Sequence, residues 1–236
     1  MPKERYFIDC PLNPKSLVEL KDDEYKHIRV MRTNIGQTVE LINGKGMLAH
    51  AMVKTLNKSC ALLEIISTEV ETKKLPFLSL SVGLMKANKI DFVIEKATEL
   101  LVDEICFFPA QLSEKKELSL LRAHNIAISA TKQCGRLFLP KIKLLNTLKE
   151  CPNDVETNIL GELAFDTLPL KDLIEKYNLK NNTMRFFIGP EKGFSSQEKT
   201  WIKETLNAYS TTLALTTLRS ETAAIIAVGL LRHLQI

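Results

Sequence analysis

Residues 188–195 read Ile188-Gly189-Pro190-Glu191-Lys192-Gly193-Phe194-Ser195, directly after an apolar strand pattern and directly before a helical one. Glycine and proline give such a connection a tight turn, and Ser195 with Glu198 three residues on carries the signature of a capping box. A second loop, Thr216-Thr217-Leu218-Arg219-Ser220-Glu221-Thr222, has the same placement between a strand and a helix. Ligands of open α/β sheets bind beyond the carboxyl ends of strands, so both loops are candidates for a binding site. A plain connector is the alternative for the first. No G-x-G-x-x-G follows a strand and no G-x-x-x-x-G-K-[ST] occurs, which disfavours a Rossmann dehydrogenase and a P-loop ATPase. Cys10, Cys60, Cys106, Cys134 and Cys151 are odd in number and widely spaced, without C-x-x-C or a histidine pair at ligand spacing. Neither a disulfide framework nor a metal site is expected.

These loops need a sheet to hold them, and the chain from Leu78 onward supplies its pattern. Leu78, Leu80, Val82 and Leu84 alternate, while Ile90, Val93, Ala97 and Leu100 recur at helical spacing. Residues 105–108 form a short buried strand, 118–133 a helix stopped by Gly135, 158–165 and 184–188 strands, 197–206 a helix, 211–215 a last strand and 221–234 a closing helix. Such alternation argues an α/β domain with a largely parallel sheet. Ahead of it, residues 5–9, 38–42, 47–54 and 60–66 read as strands, with the turn Asn43-Gly44-Lys45-Gly46 between the second and third. One helix over 24–32 interrupts them, capped by Asp22 and Asp23, with Ile28 and Met31 on its apolar side and His27, Arg29 and Arg32 on its polar sides. A small β-barrel-like domain over 1–72, a polar linker at 69–74, and an α/β domain over 73–236 follow from this pattern.

The chain has 236 residues, 45% of them hydrophobic and 25% charged, with 9 Gly and 9 Pro, which fits an ordinary globular protein and excludes collagenous and low-complexity classes. No apolar stretch reaches the roughly 18 residues of a membrane span, and no apolar segment follows the charged amino end, so the cytoplasm is the expected compartment. The formal charge is +4. Residues 1–72 carry ten basic and ten acidic groups and the remainder 22 and 18, so any polyanion site is a local patch and not a basic tail. The helix from Ala223 is apolar nearly all round and must be covered on most sides, by its own sheet together with an identical partner or as a central helix of one subunit.

IGPEKGFSSQE, followed about 25 residues later by LRSETAA, resembles the RsmE family of 16S rRNA (uracil-N3) methyltransferases in the SPOUT superfamily. The similarity extends upstream through Glu95-Lys96-Ala97-Thr98-Glu99-Leu100, through Gln133-Cys134-Gly135-Arg136 with Pro140, and through His27-Ile28-Arg29-Val30-Met31-Arg32. It covers nearly the whole chain in order. The resemblance implies a PUA-like β-barrel, then a SPOUT-type parallel sheet with a carboxyl-terminal trefoil knot, a site completed in a homodimer, and S-adenosylmethionine as cofactor. Carried onto this sequence, the cofactor-lining positions are Gly161, Ile188, Gly189, Pro190, Glu191, Gly193, Leu213, Leu215, Leu218, Arg219 and Ser220. Four departures stand out: Lys192 for the second family glycine, Ala214 with Leu215 for the expected Leu-Gly and the residue after it, Thr216 for an arginine, and Leu101 for the glycine after KATEL.

The reaction so implied is methylation of uridine N3 in the small-subunit RNA. A sulfonium methyl is already a good electrophile, so the protein must align the base and remove its N3 proton. Arg219, as a group that orients the uracil or polarises a carbonyl, and Glu221, as the nearest base, are the catalytic candidates; a salt bridge and a helix-dipole contact are their alternatives. Arg5, Arg29, Arg32, Lys86, Lys132 and Arg136 are the expected RNA contacts, with His27 a structural hydrogen-bonder. The partner is 16S rRNA or the assembled small subunit, with no membrane and no metal. A non-catalytic RNA-binding or ribosome-assembly factor and a tRNA methyltransferase remain the competing readings. Lys192 should lie at negative φ with its side chain leaving the pocket, Gly193 should carry the left-handed conformation, and Gly193→Ala should damage cofactor binding.

Overall fold

The computed structural model describes residues 4–114, 117–163 and 167–236. They divide into two compact units, Met1–Lys73 with Ile128–Leu139, and Lys74–Ala127 with Pro140–Ile236. The first unit thus includes residues 128–139 as well as the amino-terminal segment.

In the first unit, strands β1 (Arg5–Phe7), β2 (Leu17–Leu20), β3 (Thr38–Ile42), β4 (Met47–Leu56) and β5 (Ala61–Val70) form one sheet in the order β1-β3-β4-β5-β2. Only the β1–β3 pairing is parallel. Register shifts at His50/Ala51 and Val53/Thr55 put bulges into β4, which bend a strand and increase its twist. Inward residues such as Tyr6, Leu41, Val53 and Leu63 are fully buried in a core of their own. The turn after β3 forms as its sequence suggests, because the Asn43 carboxamide oxygen accepts from the Lys45 and Met47 N–H groups. Strand β5 runs on to Val70, so the expected linker at 69 begins two residues later.

Helix α1 (Asp22–Val30) corrects the expected cap: Lys21 is the N-cap, without a side-chain cap bond, and Asp22 and Asp23 lie inside the first turn. There they complement the helix dipole. Ile28 alone of the helix is buried, whereas Met31, expected on the apolar side, is 45% exposed. The ring of His27 packs against Tyr6 at 5.0 Å.

The second unit is a sheet of seven parallel strands in the order β10-β12-β9-β11-β6-β7-β8. Its elements are β6 (Leu78–Gly83), α2 (Ala87–Glu99), β7 (Glu104–Phe108), α3 (Leu120–Cys134, whose residues from 128 on belong to the first unit), β8 (Lys141–Leu144), β9 (Thr157–Gly161), β10 (Leu168–Pro169), α4 (Leu170–Lys176), β11 (Met184–Ile188), α5 (Ser196–Thr205), β12 (Tyr209–Thr212) and α6 (Ser220–Gln235). The expected β-strand over 158–165 ends at Gly161; residues 164 and 165 lie outside those described. The last strand sits two to three residues earlier than its expected span of 211–215. Every residue of β6 and β11 is buried, so the apparent alternation in β6 reflects Ser79 and Ser81 inside a two-sided interior and not a solvent face.

Helix α6 packs on α2, β6 and β11 and is fixed there by Arg232, whose guanidinium donates to the Pro76 and Leu101 carbonyls and pairs with Asp103. Helix α2 ends in a Schellman arrangement, with Leu101 N–H donating to Thr98 O and Val102 N–H to Ala97 O. Leu101 takes φ +66°, the conformation that favours glycine, so this departure from the family pattern keeps the turn at a cost of about 1 kcal/mol. Gly135 ends α3 at φ +85°, as its position suggests. Among the described residues no helix is long and apolar enough to cross a membrane.

Candidate active site

The carboxyl ends of β9, β11 and β12 lie side by side, since β11 and β12 both pair with β9. The loop after β11 turns at once: Gly193 N–H donates to Pro190 O at 2.8 Å, closing a four-residue turn. Gly193 holds φ +73°, and Lys192 is absent from the positive-φ residues. Gly189 is needed for a different reason. A Cβ there would stand 2.7 Å from Phe194 N and 2.8 Å from the Gly193 carbonyl carbon. The loop ends in the capping box, with Glu198 N–H donating to Ser195 Oγ at 3.2 Å and Ser195 N–H to Glu198 Oε2 at 2.9 Å. Glu198 Oε1 also accepts from Gln111 N–H, and the Phe194 ring lies parallel to that of Phe108 at 6.1 Å. The turn is thus held from both ends.

With the loop after β12, this turn encloses a cavity of about 320 Å³. Nine expected cofactor positions line it: Gly161, Ile188, Gly189, Pro190, Glu191, Gly193, Leu213, Leu218 and Ser220. Leu215 and Arg219 are not brought to it. Leu215 is 99% exposed, because β12 stops at Thr212 and the loop turns outward sooner than the sequence suggests. Arg219 is exposed as the N-cap of α6. Glu162, Leu163, Phe194, Lys199, Thr212 and Ala223 also line the cavity without having been foreseen. Their neighbourhood depends on β9 pairing with both β11 and β12, which no local pattern encodes; Lys199, one turn beyond the Ser195 cap, had a local signal.

The cavity wall carries two carboxylates, Glu162 and Glu191, and two ammonium groups, Lys192 and Lys199. Burial alone would raise the Glu162 carboxyl, but Lys203, Ser210 and Lys199 hold it below its usual range. For Glu191, burial is likewise outweighed by its own N–H, the Lys86 N–H and the Lys89 ammonium. Glu191 Oε2 is buried without a hydrogen-bond partner among the described residues. Glu221, in the first turn of α6, places Oε2 3.3 Å from Lys89 Nζ, an ion-pair distance without hydrogen-bond geometry. Lys192 also lines the cavity, and its ammonium, on a side chain 62% exposed, pairs with Glu114 at 3.4 Å.

The expected RNA contacts separate into two groups. Arg5 is nine-tenths buried and makes two bonds to Glu40 Oε2, at 2.9 and 2.7 Å. Lys132 pairs with Glu24 at 2.6 Å, and Arg136 is buried. Arg5 and Lys132 are thus paired with carboxylates inside the first unit. Arg29, Arg32 and Lys86 have exposed side chains that form no ion pair among the described residues. Nor do three His, Cys, Asp or Glu side chains among them gather as a metal site would require.

A domain described as an RNA methyltransferase domain matches residues 72–232, and an RNA methyltransferase PUA domain matches residues 20–66. The chain therefore belongs to the RNA methyltransferases that pair these two domains, and within them to the ribosomal RNA small subunit methyltransferase E family, the one its motifs resemble. The protein of that name from Aquifex aeolicus is 30% identical over 92% of this chain and 95% of its own. The one from Rickettsia conorii is 26% identical over 99% and 97%. The structure of the Neisseria gonorrhoeae protein of that name, bound to S-adenosyl methionine, superposes with a TM-score of 0.82 at 23% identity, covering 98% of each chain.

Proposed function

We propose that this chain transfers a methyl group from S-adenosylmethionine to N3 of a uridine in small-subunit ribosomal RNA, in the cytoplasm, as a homodimer and without a metal. The observation that carries the reading is the cavity at three parallel strand ends, closed by the two loops that bear the family's motifs. Its size lies at the lower end of the range for small-molecule sites. Its apolar walls, Ile188, Leu213 and Leu218, suit a ring, and the Glu191 carboxylate, with one buried oxygen lacking a donor, suits a cationic group. These residues fit S-adenosylmethionine, which supplies a methyl group already activated on a sulfonium.

The chain's part is to hold the uracil in line, which can contribute several kcal/mol, and to help N3 lose its proton. Arg219 at the start of α6 would polarise a uracil carbonyl, and Glu221, beside it in sequence, would take the proton. The exposed Arg29, Arg32 and Lys86 are the groups that remain available to phosphates.

A dimer would cover what α6 leaves open. Leu230 of that helix, Ile236 at its C-cap and Phe92 of α2, against which α6 packs, are exposed apolar side chains. Obligate interfaces bury roughly 2,000 Å² or more. The mass in solution at micromolar concentration should be twice 26.7 kDa; a monomer would contradict the dimer. The knotted carboxyl end belongs to the same proposal and is supported by the last strand pairing with β9 before α6 returns to β6 and β11.

The test combines the purified protein, labelled S-adenosylmethionine and small subunits from cells lacking this gene. Label is expected at one uridine of the small-subunit RNA, and calorimetric binding of the cofactor should persist with chelator present. Label in tRNA alone would move the substrate, and binding with no transfer to any RNA would make the protein a non-catalytic assembly factor.

A further inference from the structure

We propose that Lys89 is a positioning residue of this site, an inference that rests on the methyltransferase reading and adds a side chain outside both motif loops. Lys89 lies in the first turn of α2, the helix that follows β6, the sheet neighbour of β11. Its ammonium stands 3.6 Å from Glu191 Oε1 and 3.3 Å from Glu221 Oε2. One cation therefore links the loop after β11 to the first turn of α6, the two segments that carry the site.

The arithmetic of charge gives this link a function. Two carboxylates and one ammonium leave the cluster at −1, and both carboxylates keep a buried oxygen without a hydrogen bond. Without Lys89, Glu191 would lie beside a second carboxylate in a partly buried place with no cation between them, and it would hold its proton to higher pH. The surrounding charges cannot replace it. Lys192 is drawn to Glu114, Lys86 contributes its backbone N–H and not its ammonium, and Arg219 is exposed. Lys89 thus helps the backbone N–H groups keep Glu191 ionised on the cavity wall for a cationic cofactor, and holds the Glu221 side chain in place.

The experiment measures S-adenosylmethionine affinity by calorimetry from pH 6 to 8.5 for the wild type, Lys89→Met and Lys89→Arg, with thermal unfolding as the check on folding. The wild type and Lys89→Arg should vary by less than about twofold across the range. Lys89→Met should bind at least about threefold more weakly at pH 6 than at pH 8.5, the direction expected when a partly buried carboxylate loses its cation and holds a proton towards the neutral range. Single-turnover transfer by Lys89→Met should recover towards alkaline pH. If Lys89→Met does not fold, Lys89→Gln takes its place in the same series. A pH-independent affinity and an unshifted rate profile in the neutral variant would overturn the proposal. Failure of the wild type itself to bind the cofactor would instead overturn the methyltransferase reading.

Discussion

Arg219→Ala is expected to lower the single-turnover rate of methyl transfer by about 10²- to 10³-fold, the range for removing one donor aimed at developing charge, while leaving the fold and cofactor affinity unchanged. Three features of the position support a clean loss. Arg219 is the N-cap of α6 but makes no side-chain cap bond; Ala223 N–H bonds its backbone carbonyl, which alanine retains. It does not line the cavity, so truncation leaves the cofactor wall intact. It forms no ion pair among the described residues, so no carboxylate is orphaned and the salt-bridge alternative loses its partner. An exposed guanidinium next in sequence to Leu218 and Ser220 of the cavity wall is placed for a substrate that arrives from outside. A near-wild-type single-turnover rate would remove Arg219 from the chemistry and leave Glu221, beside Lys89, to act alone. A large fall in cofactor affinity with an unchanged rate at saturation would assign the arginine to binding.

The sequence made the two loops visible because each is bounded by strong local signals. The strand before Gly189 is buried on both faces and so reads as the continuous apolar run Met184–Ile188, and the Ser195–Glu198 box marks the helix start. What it concealed depends on distance along the chain. Strand β10 is two residues long and exists only through pairing with β12, and β8 has one buried residue, so neither has a periodicity to read. Helix α4 did carry a signal, since Leu170, Leu173 and Ile174 are all buried at helical spacing. Glu162 and Leu163 reach the cavity through β9, whose neighbours in the sheet come from residues 184–188 and 209–212. Charge was misleading in a similar way. Arg5 and Lys132 look like RNA contacts until Glu40 and Glu24 appear beside them, from 35 and 108 residues away.

The turn Pro190–Gly193 provides the second large effect, and the structure moves it from the residue that the sequence favoured. Positive φ and close approach are separate demands on a glycine, and here two glycines four residues apart, Gly193 closing the turn and Gly189 just before it, divide them. Gly193 holds φ +73° with nothing within 4 Å of where a Cβ would lie, so Gly193→Ala meets only the backbone cost of about 1 kcal/mol, a few-fold in affinity at most. At Gly189 the added carbon would meet Phe194 N and the Gly193 backbone, within 3.0 Å of three main-chain atoms. Backbone cannot rotate aside as a side chain does, and this stretch is pinned by the Gly193–Pro190 bond and the capping box. Gly189→Ala must therefore reshape the cavity wall, and a loss of S-adenosylmethionine affinity of at least about 100-fold is expected, since the displacement exceeds what a packed site tolerates. Lys192→Gly should leave that affinity unchanged, its side chain being directed to Glu114, and should weaken RNA binding modestly at low salt. Calorimetry on the three variants, each checked by thermal unfolding, separates the demands. Equal losses in Gly189→Ala and Gly193→Ala would show that left-handed φ shapes the cavity, and a gain in Lys192→Gly would show that the lysine obstructs it.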